Sequence, residues 1–246
     1  MIKIFRTIRQ RTATSRGIFD MLPENRFSRY FLYAIGEIVL VVIGILIALQ
    51  INDWNDQRKN RAYEQEILLL IDQNLQNDAE LLRIEMESTT LALQLTDRLL
   101  EEVAHERYSD SLNFWMGRII SFERFRSQSS SFEVLKAKGI GMVRDKELQL
   151  ALIAYYDERL FKLYESLNDV MASFNADWVP IIKTDFVDFK FKEYCVPIDQ
   201  RAFLAKPTSI VLFKLFKDNR GGQLRKMESA LTDIDHIRKL IAKNHP

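Results

Sequence analysis

Residues Tyr30–Leu49 read YFLYAIGEIVLVVIGILIAL, twenty positions with a single carboxylate, Glu37. At 1.5 Å per residue a helix of this length spans ~30 Å, about the hydrocarbon thickness of a bilayer. From Ile38 to Leu49 the run holds only Ile, Val, Leu, Gly and Ala. A core strand would be shorter, and a core helix of a small domain would show a polar face. The stretch therefore predicts one membrane-spanning helix. A cleaved leader would have a shorter apolar region ending in small residues; here Ala48 is followed by Leu49 and Gln50, which predicts a retained anchor.

The flanks orient it. Upstream stand Lys3, Arg6, Arg9, Arg11, Arg16, Arg26 and Arg29 against Asp20 and Glu24. Downstream, Asn52–Glu66 mixes both signs. The positive-inside bias then puts residues 1–29 in the cytoplasm, the span at 30–51, and residues 52–246 outside as an extracytoplasmic α-helical domain. Tyr30 and Tyr33 at one end and Trp54 at the other suit interfacial belts, with Arg26 and Arg29 as charged anchors. In a bacterium this is an inner-membrane protein with a periplasmic domain.

Glu37 is the residue of most interest within the span, because a carboxylate in hydrocarbon is expensive and marks function by default. Glu37, Gly44 and Ala48 fall on one helical stripe at 100° per residue. Gly44 and Ala48 form a small-xxx-small pair that lets another helix approach, so these three are the candidate membrane-helix interface. The competing reading has Glu37 reaching toward the cytoplasmic headgroups and Arg29. Membrane lipid and either a second copy of the chain or an envelope protein are the expected partners. A net charge of +1 over 246 residues gives no global field for nucleic acid.

After the span the pattern is mainly α, a helical bundle with long amphipathic helices. Asn60–Val103 lacks Gly and Pro, and Ile67, Ile71, Leu75, Leu81 or Leu82, Met86, Leu91, Leu95 and Leu99 recur at helical spacing. On this reading Asp72, Asp78, Glu80 and Glu85 form its solvated face. His105–Asp110 breaks it. Leu112–Phe125 reads as a short helix whose Phe114, Trp115, Ile119, Phe122 and Phe125 enter a core. Ser129–Ser131 supply an N-cap, Gly139 a left-handed stop and Asp145 the cap of a long helix. The buried side of that helix carries Leu148, Leu152, Tyr155, Tyr156, Phe161, Tyr164 and Leu167. Pro180 and Pro197 bracket a less helical region in which Phe186–Val196 partly alternates. Pro207–Phe216 reads as a short helix, Asn219–Gly222 as a turn and Gln223–Lys243 as a closing helix. At the other terminus Met1–Ile8 is a candidate interfacial helix.

Two of these blocks carry a resemblance. YAIGEIVLVVIGILIALQINDWNDQRK (Tyr33–Lys59) and SSFEVLKAKGIGMVRDKELQLALIAYY (Ser130–Tyr156) resemble a family of single-pass membrane proteins of Gram-negative bacteria that bears a domain-of-unknown-function label. The resemblance implies an apolar anchor followed by a helical domain of about two hundred residues, and no activity.

Nothing in the sequence points to catalysis or to a cofactor. His105, His236 and His245 are scattered, with no metal-ligand spacing. Gly139-Ile140-Gly141 is a helix-helix turn rather than a phosphate loop, and Ser129–Ser131 lack an elbow pattern. Asp233 and His236 read as a surface pair. Cys195, the single cysteine, reads as a small core residue and permits no intrachain disulfide. The expected role is a non-enzymatic anchored scaffold or accessory subunit of an envelope assembly. The alternative is a single-pass receptor whose helical domain binds a ligand among its aromatic helices.

Overall fold

A computed structural model describes residues 26–244, with side chains from 30 to 243. The interfacial helix expected over Met1–Ile8, the loop over 12–25, and the Arg26 and Arg29 side chains lie outside the described residues. Two units divide between Lys59 and Asn60, within the residue range of the first helix, α1 (Arg26–Ala104).

In the first unit every side chain from Tyr30 to Lys59 is exposed except half-buried Asn55. Among the described residues one helix, close to the N-terminus, is long and apolar enough to cross a membrane.

The second unit is built on the remainder of α1. It buries Ile67, Ile71, Leu75, Leu82, Leu95 and Leu99, as helical spacing predicts; Met86 is half-buried, Leu81 and Leu91 stay largely outside, and Ala92 takes the inward place expected of Leu91. α1 ends in a left-handed residue, Glu106 (φ 55), and the Arg107 guanidinium folds back onto Glu102 at 2.8 and 2.9 Å. The next helix, α2 (Ser111–Ile119), is shorter than expected. Ile120–Ser129 is not helical, so Phe122 and Phe125 lie beyond α2, and Phe114 is exposed. In α3 (Ser130–Lys138) the cap at Ser129 makes no side-chain hydrogen bond. Ser131 is already taken up by Asn74, whose amide donates to its Oγ at 2.9 Å. Gly139 does stop α3, at φ 110, a backbone conformation that disfavours a Cβ.

Asp145 caps α4 (Lys146–Ile153), accepting from the Glu147 and Leu148 amides. A π-helical turn, Ala154–Arg159, leads into α5 (Leu160–Ser173), and a second, Phe174–Trp178, into α6 (Val179–Asp185). Beyond the first π turn the inward position falls on Leu160 and then Leu163. Phe161, one residue on, points to solvent, against the sequence expectation. Pro180 does not end the helix. It stands in the first turn of α6, where a missing N–H interrupts least.

The region expected to be less helical resolves into an antiparallel hairpin, β1 (Phe186–Lys190) and β2 (Tyr194–Pro197), pairing Phe189 with Cys195. Lys192 takes a left-handed turn position between them (φ 70). After α7 (Gln200–Ala205), a single helix, α8 (Pro207–Asn244), closes the unit. No turn interrupts it at Asn219–Gly222. Arg220 and Gln223 are both fully buried, and their tertiary hydrogen bonds hold the intervening Gly221–Gly222 pair helical against its propensity.

The buried apolar residues form two cores. The first joins Ile67–Leu82 of α1, Phe132 and Leu135 of α3, α4, Leu160 and Leu163 of α5, and Met227–Ile241 of α8. The second joins Leu95 and Leu99, α2, Val170, Trp178, Cys195, α7 and Leu212–Phe216. α8 runs antiparallel to α1, pairing Arg238 with Asp72 and Gln223 with Glu85.

Candidate functional site

Glu37, Gly44 and Ala48 sit on helical backbone at spacings of seven and four, hence on one face. All three are exposed, and a Cβ built on Gly44 meets no atom within 4 Å. Among the described residues of the first unit, nothing packs against them. Tyr30, Tyr33 and Trp54 are 77%, 79% and 64% exposed, and the Arg58 guanidinium lies 5.5 Å over the Trp54 ring. The stripe is exposed along its whole length.

In the second unit the polar groups that matter were expected in water. Asp78 and Glu85 are buried, which corrects the solvated-face reading. The signal was in the spacing: Ile71, Asp78, Glu85, Ala92 and Leu99 follow one another every seven residues. The two carboxylates therefore share the inward line of α1. Between the two cores, Thr89 donates to Glu85 Oε1 at 3.3 Å and Gln223 Nε2 to the same oxygen at 3.2 Å. Arg220 Nη2 donates to Thr89 Oγ1 at 3.1 Å and Nη1 to the Ser121 carbonyl at 2.7 Å. Burial pushes the Glu85 carboxyl above the usual range, opposed by the Arg220 charge. Burial also lowers the Arg220 guanidinium, but its intrinsic basicity keeps it a cation. Glu85 Oε2, Arg220 Nε and Gln223 Oε1 make no hydrogen bond of ordinary geometry.

The second buried carboxylate, Asp78, accepts from the Ser127 hydroxyl and, at 2.9 Å, from the Gln128 amide. Burial raises it as well. Tyr164 accepts from the Ser127 amide at 3.0 Å. The Tyr155 and Tyr156 phenols, close by, are raised chiefly by burial, and Tyr156 stacks on Phe132 at 4.2 Å. Arg220 and Asp78 thus pin Ser121, Ser127 and Gln128 of the non-helical segment, supplying partners for backbone groups with no ladder or helix of their own. These buried groups hold the non-helical segment against α1 and α8.

The remaining candidates stay apart. His105 bonds the Glu101 carbonyl at 2.8 Å, while His236 lies 3.8 Å from Glu147 at the surface. Asp233 pairs with Arg159 at 2.6 Å rather than with His236. Among the described residues no group of three His, Cys, Asp or Glu side chains gathers at one point. A groove of about 410 Å³ runs between α4 and α8 past Leu150, Ala154, Glu158, Lys162, His236 and Ile237. Its lining is mostly aliphatic and charged.

Cys195 is buried, and burial pushes its thiol up to about 12. The native chain is expected to resist alkylation at neutral pH and to be labelled fully once unfolded. Mass spectrometry after timed iodoacetamide exposure checks this, and rapid native labelling would contradict the buried placement.

No curated protein and no solved structure matches the chain. A family model does match, over residues 37–173, from Glu37 in the apolar run to the end of α5, and takes in the whole of the Ser130–Tyr156 block. The chain belongs to the family of unknown function DUF6090.

Proposed function

We propose that this protein is a single-pass protein of the Gram-negative inner membrane, with residues 1–29 cytoplasmic and 52–246 periplasmic. It acts as a non-enzymatic helical scaffold or accessory subunit of an envelope assembly. One observation carries the reading: the apolar run from Tyr30 to Ile51 is exposed on every side of its helix. An exposed apolar surface that large has no stable place in water, whereas in lipid its backbone is satisfied within the helix and its side chains match the solvent. The open stripe of Glu37, Gly44 and Ala48 supplies a contact for a second copy or an envelope partner.

Alkaline carbonate should leave the intact chain in the membrane pellet, and a periplasm-dependent reporter fused after Pro246 should be active. A soluble chain or a cytosolic reporter defeats the topology. Glu37→Leu and Gly44→Leu are each expected to weaken association at least fivefold, the low end of coupling at packed helix contacts. Chemical cross-linking in native membranes reads this, and unchanged assembly in both variants removes the interface.

A further inference from the structure

At one end of the second unit the segment KAKGIGMVRDK, residues 136–146, folds over the first turns that follow Asn60. Lys138 Nζ sits 3.5 Å over the Tyr63 ring. The backbone amide and the Nε of Arg144 each donate to Glu64 at 2.8 Å. The Glu64 side chain is 8% exposed while that of Arg144 is 66% exposed, so the anion is sealed and the cation displayed. Between them the tip is bare: Gly139 and Gly141 are exposed with nothing within 4 Å of a built Cβ, and Ile140 and Met142 are half-buried. The end of α8 comes to the same place, since Arg238 pairs with Asp72 and Ile241 shares a core with Ile67. Residues 60–66, 136–146 and 239–243 carry seven Lys and Arg against three Asp and Glu, a net +4 in a chain whose total is +1. Lys136 is matched by Asp157 from outside these segments, at 2.7 Å. The next residue, Glu147, faces His236.

We propose that this basic, glycine-flanked tip is a docking surface for the phosphates of anionic phospholipid headgroups. Lys138, Lys146 and Lys243 make the ionic contacts, while Ile140 and Met142 pack inward against the first core and hold the loop in place. The inference rests on the membrane-anchored reading. Its occupant follows from chain separation and charge. Asn60 comes nine positions after Ile51, a separation that even fully extended chain limits to about 30 Å. A bilayer around the apolar run is thus a surface within the tip's reach, and anionic headgroups in its outer leaflet carry the charge that complements the tip.

The test uses the full chain in nanodiscs of phosphatidylcholine, or of phosphatidylcholine with phosphatidylglycerol, followed by hydrogen–deuterium exchange. Exchange in peptides covering 136–146 should slow at least fivefold with phosphatidylglycerol and return toward the neutral-lipid rate in high salt. Peptides covering the 186–197 hairpin should not change. Lys138→Glu with Lys146→Glu should abolish the protection, and the salt series reads the same contact without any variant. Equal exchange in both lipids overturns the proposal. So does equal protection by inorganic phosphate added to neutral nanodiscs, which would assign a free-anion site. If carbonate extracts the chain from membranes, the anchored reading falls. If the chain stays and its exchange ignores lipid charge, only the headgroup surface falls.

Discussion

Arg220→Ala is expected to destabilise the second unit by about 3 kcal/mol or more, because it removes the buried cation whose field offsets the burial of Glu85, which it reaches through Thr89 rather than by direct contact. Arg220 is 1% exposed, and Glu85 is 1% exposed. The substitution also deprives the Ser121 carbonyl of its 2.7 Å donor, and Thr89 of its 3.1 Å donor. Urea unfolding of the detergent-solubilised chain, followed through the fluorescence of buried Trp178, measures the loss. Arg220→Met combined with Glu85→Leu removes both charges together and should recover roughly half of it or more. A single-variant loss below about 1 kcal/mol, the level of an exposed pair, would mean that this network is not the pin described above.

Gly117→Ala is the second large effect. A Cβ at Gly117 would lie 2.4 Å from the Tyr194 amide nitrogen, 2.5 Å from its Cα and 2.6 Å from the Glu193 carbonyl carbon. All three atoms are backbone, so no side chain can swing aside and the β2 end of the hairpin must move off α2. Alanine gains about 1 kcal/mol of helix propensity over glycine, but forced overpacking of a tight contact costs up to about 3 kcal/mol and occasionally more. A net loss of about 2 kcal/mol is expected in the same urea experiment. The hairpin amides of residues 194–197 should also exchange faster. A neutral or stabilising result would show that the approach of β2 to α2 is looser than the distances say.

The sequence pattern recovered much of the second unit: the apolar inward residues Ile67, Ile71, Leu75, Leu95 and Leu99 of α1, the break at His105–Asp110, the Asp145 cap and the core placement of Cys195. It failed where tertiary bonds override local preference. Gly221–Gly222 reads as a turn in isolation, but Arg220 and Gln223 on either side are held by α1 and the Ile120–Ser129 segment, so the glycines follow them into helix. Pro180 reads as the edge of a less helical region, but it stands in the first turn of α6, where its missing N–H interrupts least. A π turn also adds a residue that no fixed period anticipates, which is why Phe161 was placed inward and is not. Of the candidate sites, the Glu37, Gly44 and Ala48 stripe was legible because it depends only on helical phase. The Glu85 and Arg220 network was half legible: the seven-residue spacing from Ile71 to Leu99 was there to be read. Its partner lies 135 residues further along the chain, a separation that pattern reading does not bridge.

The polar layer of Glu85, Thr89, Arg220 and Gln223 has one more consequence. It sits between the core around Leu75 and Met227 and the core around Trp178 and Phe213, and the two draw on different buried residues. Truncations made on opposite sides of it share no neighbours, so their free-energy effects should simply sum, while two on the same side should interact. The unit is in that sense two energetic neighbourhoods joined by three long helices, each able to accumulate change without consulting the other.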